Sequence, residues 1–533
     1  MSTSAIRAGE AIQGANLRAG DETFLGHPKG LFVLFFAEMW ERFSFYGMRG
    51  LLIFYLTKHF LFADAAAATI YASYGSLVYL TPLIGGIVAD RWLGFRRSVA
   101  FGAFLLVLGH LGMAFEGPPA ALVGGEVVRD ASSLQTFYLS LAFIIVGCGL
   151  LKPNISSMVG RLYGPNDSRR DSGFTIFYLG INIGAAVSGL LCGYLGETFG
   201  WAYGFGAAGI GMMFGLATFM YWQDLYAGTG EAPDEALIAR RYGPLKLEHW
   251  IYVGSLVAVF GIWLLIQYRG QIQFLLFEPT PIGLLLFLLS LGAVGGIMWF
   301  SFTKCDRVER DRMLVVLFLC SMSMFFWACF EQAGSSMNLF ADRNVDRNMF
   351  GAQVTAAQFQ SVNPLFIMLM AVAFAGLWLK LGQRGLNPST GVKFGLALLQ
   401  VSLGFMALVF GISQAENGIV HWFWLVLAYF LHTTGELCLS PVGLSMVTRL
   451  SVARVVGLMM GVWFLFSGAF AHYVAGIIAA AASIQTEPGE VASAAASAAT
   501  YGEVFWQISL IAAGVGVFVL AVSPIVKRFA HEE

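Results

Sequence analysis

The sequence predicts an all-α polytopic membrane protein of 14 transmembrane helices: two six-helix halves with two extra helices between them. Three observations carry this prediction. First, 533 residues that are 57% hydrophobic and only 12% charged, at a mean hydropathy of +0.71, lie far from the mix of a water-soluble domain. Second, apolar stretches of about 20 residues, enough to cross a hydrocarbon layer of about 30 Å, recur along the whole chain. Third, Lys and Arg crowd into alternate loops, as short cytoplasmic loops require. The net charge of −1 gives no broad basic field, so no nucleic-acid partner is expected.

In order, residues 1–30 form a polar tail without the apolar core of a signal peptide, and are expected to stay cytoplasmic. Six spans follow near 31–58, 67–90, 98–116, 137–159, 173–196 and 201–222, making an N-terminal bundle over 31–222. A linker unit over 223–311 opens with a polar, charge-mixed segment and adds spans near 249–268 and 282–302. The C-terminal bundle, 312–527, holds spans near 312–340, 352–381, 391–412, 419–448, 455–481 and 503–526, and 528–533 is a short cytoplasmic tail. The Ala/Ser-rich stretch 491–499 reads as an outer loop.

Orientation follows from the cations. Arg91, Arg96, Arg97, Arg161, Arg169, Arg170, Arg240, Arg241, Lys246, Lys304, Arg307 and Arg310 all fall on one side. The opposite loops carry little beyond Lys58, Arg129, Arg269, Arg343 and Arg347, so both termini are expected in the cytoplasm. Cys148, Cys192, Cys305, Cys320, Cys329 and Cys438 show no metal-ligand spacing and read as small core residues, and no metal or cofactor is expected.

Against this apolar background a few charges stand out. In "FFAEMWERFSFYG", Glu38 is three residues from Glu41 and four from Arg42, so one helix face can hold all three. A charge at bilayer depth costs at least about 2.5–3.5 kcal/mol on insertion scales, so it is kept where a polar cavity gives it a task. One arginine cannot fully neutralise two carboxylates, which makes this cluster a candidate proton carrier; the alternative is an ion pair that only ties helices together. Arg49, Lys152, Glu331 and Glu436 are further isolated charges in apolar spans. Together they resemble the two ends of a zwitterion trap, with Arg42 and Lys152 for a carboxylate and Glu436 with Glu331 for an ammonium. Gly149, Pro153, Gly435 and Pro441 beside them suggest locally broken helices.

"GGIVADRWLGFRR", with Gly86, Asp90, Arg91, Gly94, Arg96 and Arg97, resembles the loop signature of the major facilitator superfamily. Asp90 at a helix end can pair with an Arg or a helix terminus, and the glycines allow close helix approach. A fainter echo at Gly376, Lys380, Gly382 and Arg384 fits two weakly similar halves.

Nearly the whole chain resembles the bacterial branch of the proton-coupled oligopeptide transporters within that superfamily. The residues that carry this are Glu38, Glu41 and Arg42; Lys152, Pro153 and Asn154; Tyr178, Asn182 and Gly184 in "FYLGINIG"; Phe326 to Phe340; and "GELCLSPVGLSMVTRL" from Gly435. The resemblance implies a major facilitator fold and a non-enzymatic symporter. It would import di- and tripeptides by alternating access, with protons as coupling ion, as a monomer in the bacterial inner membrane. It implies that Arg42 and Lys152 bind the peptide carboxylate, and that Asn182, Asn363 and Glu436 meet its amino end. Tyr46, Tyr79, Ser440 and Trp463 would line the pocket. Glu38, Glu41, Arg42 and Glu331 would handle protons, and Arg49–Glu331 and Lys152–Glu436 would be state-dependent bridges.

The sequence departs from that pattern at Phe45, where many relatives carry tyrosine, and at Ala72, where animal relatives place a histidine. His432, one turn before Glu436, reads as a bundle histidine. A carrier of nitrate or another small organic anion is the rival reading. An intramembrane hydrolase or sensor lacks any supporting motif.

Overall fold

The computed structural model describes residues 23–164, 167–226, 228–268, 280–484 and 493–531. Among these, the chain forms long helices α1 (Lys29–Phe54), α2 (Asp64–Val88), α3 (Gly94–Met113), α4 (Ala131–Arg161), α5 (Arg170–Phe199) and α6 (Trp201–Tyr221). Helices α7 (Leu247–Gln267) and α8 (Pro281–Lys304) follow. Then come α9 (Arg307–Phe330), α10 (Val362–Gln383), α11 (Thr390–Ser413) and α12 (Trp422–Leu450). α13 is helical over Val456–Phe464 and Ala471–Ala481 with a π turn at Leu465–Phe470 between them, and α14 is Ala494–Ala530. The expected six, two and six are all present. α1 spans despite Glu38, Glu41, Arg42 and Arg49, because those groups are buried and find partners inside the protein. The residues expected in the tails at 1–22 and 532–533, and Arg269, lie outside the described residues.

Local chemistry sets the helix ends. Asp130 caps α4 by accepting from Ser133 N at 2.7 Å, Thr280 with Pro281 behind it starts α8, and Asp306 with Glu309 forms a capping box on α9. Ser493 caps α14, so residues 494–499 are helix and not the outer loop expected. Alanine there favours the helix once a cap is available.

The breaks also fall elsewhere than expected. α4 and α12 run unbroken past Pro153 and Pro441. The chain breaks instead after α9, where Glu331–Gly334 form a 3-10 turn before a short helix at Ser336–Asn344.

α1 packs on α5 and α6, and α4 on α2 and α3; in the second half α11 packs on α12 and α14. The two extra helices are peripheral and dock on different halves. α7 buries Val259 against Leu105, Ala142, Val146 and Leu150 of α3 and α4, whereas α8 presents Gly283 to Tyr473 of α13.

The halves meet closely at the end that carries residues 58–64 and 342–358. There Arg343 grips Asp64 at 2.5 and 2.8 Å, Lys58 meets Asp342 at 2.7 Å, and Arg347 lies 3.5 Å from Glu197. Glu197 also accepts from Ala357 N at 2.6 Å, and Ser361 donates to Ala186 O at 2.6 Å. At the opposite end the ion pairs seen among the described residues stay within one half or reach the linker. α10 carries Leu369 and Val372 exposed.

The latch makes a prediction. Arg343→Ala should favour opening at this end by about tenfold, since a partly exposed pair contributes about 1–2 kcal/mol rather than the full value of a buried one. Maleimide labelling of a Ser335→Cys reporter, buried beneath Asp64, should accelerate by that factor; an unchanged rate would show that these pairs do not hold the end shut.

Candidate functional site

The first cluster forms as its spacing requires. Arg42 Nε lies 2.8 Å from Glu38 Oε1 and 2.7 Å from Glu41 Oε2, with all three side chains buried. Only the Glu38 contact has hydrogen-bond geometry, and both Glu41 oxygens lack a donor. With one guanidinium between two carboxylates, a single added proton balances the charge, and Glu41 has an open oxygen to hold it.

Phe45 sits between the two cations expected at a carboxylate, with Arg42 Cζ 5.6 Å and Lys152 Nζ 5.8 Å from its ring centre. Lys152 reaches further, to 4.0 Å over the ring of Tyr79. Tyr46 is half-buried, edge-on to Phe45 and within 5.9 Å of Arg49.

The second cluster joins the halves. Arg49 of α1 bonds Glu331 through Nη2 and donates from Nε to Tyr71 Oη at 2.6 Å. Glu331 is the first residue after α9, so the helix break presents its carboxylate to α1. His472 of α13, which sequence reasoning missed, also faces it, with Nε2 3.3 Å from Glu331 Oε2. The π turn just before His472 shifts the phase of α13, which no hydrophobic period reveals.

The remaining residues are placed as follows. Glu436 Oε2 accepts from Asn363 Nδ2 at 3.0 Å, and the same amide donates to Thr433 at 2.9 Å. Asn182 is buried and donates to Tyr178 O, within its own helix. Ser440 is half-buried, one turn beyond Glu436. The Trp463 ring is packed inside the C-terminal half against Gly443 and edge-on to Phe394. His432 is buried beside Phe405 and Phe330. Of the two expected bridges Arg49–Glu331 is formed; Lys152 and Glu436 make no ion pair among the described residues. A separate cavity of about 770 Å³ opens within the C-terminal half, lined by Arg312, Lys393, Arg449 and Lys527, and shares none of these site residues.

The loop signature behaves differently from its expectation. Asp90 is exposed and pairs with no Arg among the described residues. Arg96 and Arg97 instead seize the linker: Arg96 bonds Glu231 and, at 2.7 Å, Gln223, and Arg97 clasps Glu235 with two bonds of 2.9 Å. That grip holds the Glu235 carboxyl below the usual carboxylate range. Gly86 faces open space, and its neighbour Gly85 is the one that lets α2 touch α4, since a side chain there would meet Gly149 O. Gly94 has φ +73° and backbone of Glu231 against it, so two requirements select glycine.

Known proteins align with this arrangement over its length. The POT family model matches residues 96–494. The chain is 36% identical over 512 residues to an uncharacterized transporter, YclF, of Bacillus subtilis, covering 95% of each. It is 37% identical to the peptide transporter YePEPT of Yersinia enterocolitica, covering 86% of this chain and 89% of that one. It is 35% identical to a di-/tripeptide transporter of Lactococcus lactis, covering 84% and 89%. A solved peptide transporter POT in complex with sulfate superposes with a TM-score of 0.80 at 33% identity, covering 97% of this chain and 99% of that one. A mutant form in complex with alafosfalin gives 0.79 at the same identity and coverage. With matching helices, two-half arrangement and sequence over nearly its full length, the chain belongs to the POT family.

Proposed function

We propose that this chain is a proton-coupled symporter that imports di- and tripeptides by alternating access of its two halves. The observation that carries this reading is the split of charge across the molecule. Arg42 and Lys152 flank Phe45 in the N-terminal half, and Glu436, steadied by Asn363, stands in the C-terminal half. A short peptide presents one carboxylate and one ammonium at a limited separation and so satisfies both ends, whereas a simple anion satisfies only the first. Relatives named as peptide and di-/tripeptide transporters support the substrate class.

In this reading the end at 58–64 and 342–358 is the outer one, latched shut, and the opposite end faces the cytoplasm with both termini. The cation-rich loops support that orientation in the bacterial inner membrane. Residues 31–222 and 312–527 move as two bodies, with 223–311 between them. Each chain holds a complete site and acts as a monomer.

The proton and the peptide act on different ties. A proton on Glu41 or Glu331 removes a carboxylate charge from Arg42 or Arg49, and freed Arg42 then offers its guanidinium to the peptide carboxylate. The peptide carboxylate also draws Lys152 away from Tyr79.

The test is uptake of labelled dialanine into proteoliposomes under an inward proton gradient. Native protein should accumulate it. Glu41→Gln should lose about 100-fold of the gradient-driven rate while counterflow exchange continues, because a buried ionic contact of about 3 kcal/mol no longer responds to the gradient. Lys152→Gln should instead raise the half-saturating peptide concentration about tenfold or more, as expected for one lost charge-assisted bond of about 1.5–3 kcal/mol. Failure of a peptide panel together with accumulation of nitrate would overturn the substrate class.

A further inference from the structure

We infer that His472 is a proton-holding residue of this transporter: it and Glu331 share one proton, and the pair, rather than Glu331 alone, sets the response to pH. The inference deepens the proton coupling proposed above and rests on it for its consequence, though not for its geometry.

Two contacts fix the imidazole. Nδ1 lies 2.9 Å from Gly468 O, and a carbonyl only accepts, so Nδ1 carries a hydrogen. Nε2 lies 3.3 Å from Glu331 Oε2. With Nδ1 protonated, a bare Nε2 facing an ionised carboxylate would set two lone pairs against each other. His472 and Glu331 are only 4% and 5% exposed at their side chains, so little water is there to relieve it. One proton between them resolves the conflict. It resides on Nε2, giving imidazolium and carboxylate, or on Oε2, giving imidazole and carboxylic acid, with the same total charge either way. When it leaves, Nδ1 keeps its hydrogen on Gly468 O and the Nε2–Oε2 contact is the one lost.

Packing holds the ring in this place. It lies against α2 where residue 75 is glycine, since a Cβ there would fall 2.2 Å from His472 Cδ2. The Tyr79 ring lies against it, tilted by 30°, with centres 4.8 Å apart. The charged and titratable groups around it are Glu331 after α9, Arg49 of α1 beyond that carboxylate, Tyr71 and Tyr79 of α2, and Lys152 of α4 across Tyr79.

The consequence follows from which half supplies each charge. Arg49 belongs to the N-terminal half, and Glu331 and His472 to the C-terminal half, and both cationic groups address the same oxygen, Oε2. A proton arriving on the His472–Glu331 pair supplies from within the C-terminal half the compensation that otherwise comes only from Arg49. The tie between halves weakens, and Tyr79, touching both His472 and Lys152, places this event beside the peptide carboxylate site.

The experiment has two readouts. In ¹⁵N-histidine-labelled protein in nanodiscs, the His472 signal is assigned by its loss in His472→Gln. Nδ1 should stay protonated throughout, and Nε2 should gain its proton as pH falls; in Glu331→Gln that gain should move to lower pH by about one unit, a tenfold change. In proteoliposomes, the half-maximal pH of dialanine uptake should shift by a similar amount in His472→Gln. Gly75→Ala, which pushes the ring aside without removing it, should reproduce the shift even if the glutamine variant fails to fold. A native pH profile in both variants, or a spectrum in which Nδ1 is bare and Nε2 never titrates, would overturn the inference. Absence of peptide uptake by native protein would overturn the functional reading instead, and the spectrum would still decide the role of His472.

Discussion

Glu331→Gln is expected to abolish coupling while sparing exchange: gradient-driven dialanine uptake should fall by about 100-fold or more, with counterflow persisting. The amide still offers Arg49 an acceptor, so no buried guanidinium is stranded, but the charge that a proton would cancel is gone. Replacing a buried ion pair by a neutral bond removes about 3 kcal/mol of state dependence, which sets the factor. The Arg49–Glu331 contact joins helix α1 to the turn after α9 and so bridges the halves. A reduction of uptake and counterflow by the same factor would show that Glu331 positions the bundle and does not respond to the proton.

The second large effect is structural. Gly85→Val should collapse folding, because its Cβ would lie 1.9 Å from Gly149 O and 2.5 Å from Gly149 C, where only backbone can yield. Overpacking costs about 1–3 kcal/mol even where side chains can adjust, and here α2 would have to move off α4. The monodisperse fraction after detergent extraction should drop at least about tenfold. Gly86→Val, one residue on, meets nothing within 4 Å and should extract like the native protein. Equal behaviour of the two variants would mean that the α2–α4 contact is not what limits assembly.

The sequence by itself determined the class, the number and order of spans and the crowding of cations on one side, because each is a one-dimensional property of hydropathy and charge. It also determined the Glu38–Glu41–Arg42 cluster, since an i, i+3, i+4 set on one helix meets through local geometry alone. The Arg49–Glu331 bridge was legible only through resemblance, for nothing in the spacing of residues so far apart brings them together. Other features needed the tertiary structure. His472 joins Glu331 because a π turn rotates its half of α13 and Gly75 of another helix leaves room for the ring. The break after α9 falls at Glu331 and not at Pro153 or Pro441, whose helices pass through unbroken because packing against neighbours outweighs local propensity. Arg96 and Arg97 turn to the linker and not to Asp90, and Gly85 replaces Gly86 as the contact glycine, because helix phase decides which of two adjacent residues faces a neighbour. Period and composition specify what a segment is; which atoms it meets is set by how fourteen such segments settle against one another.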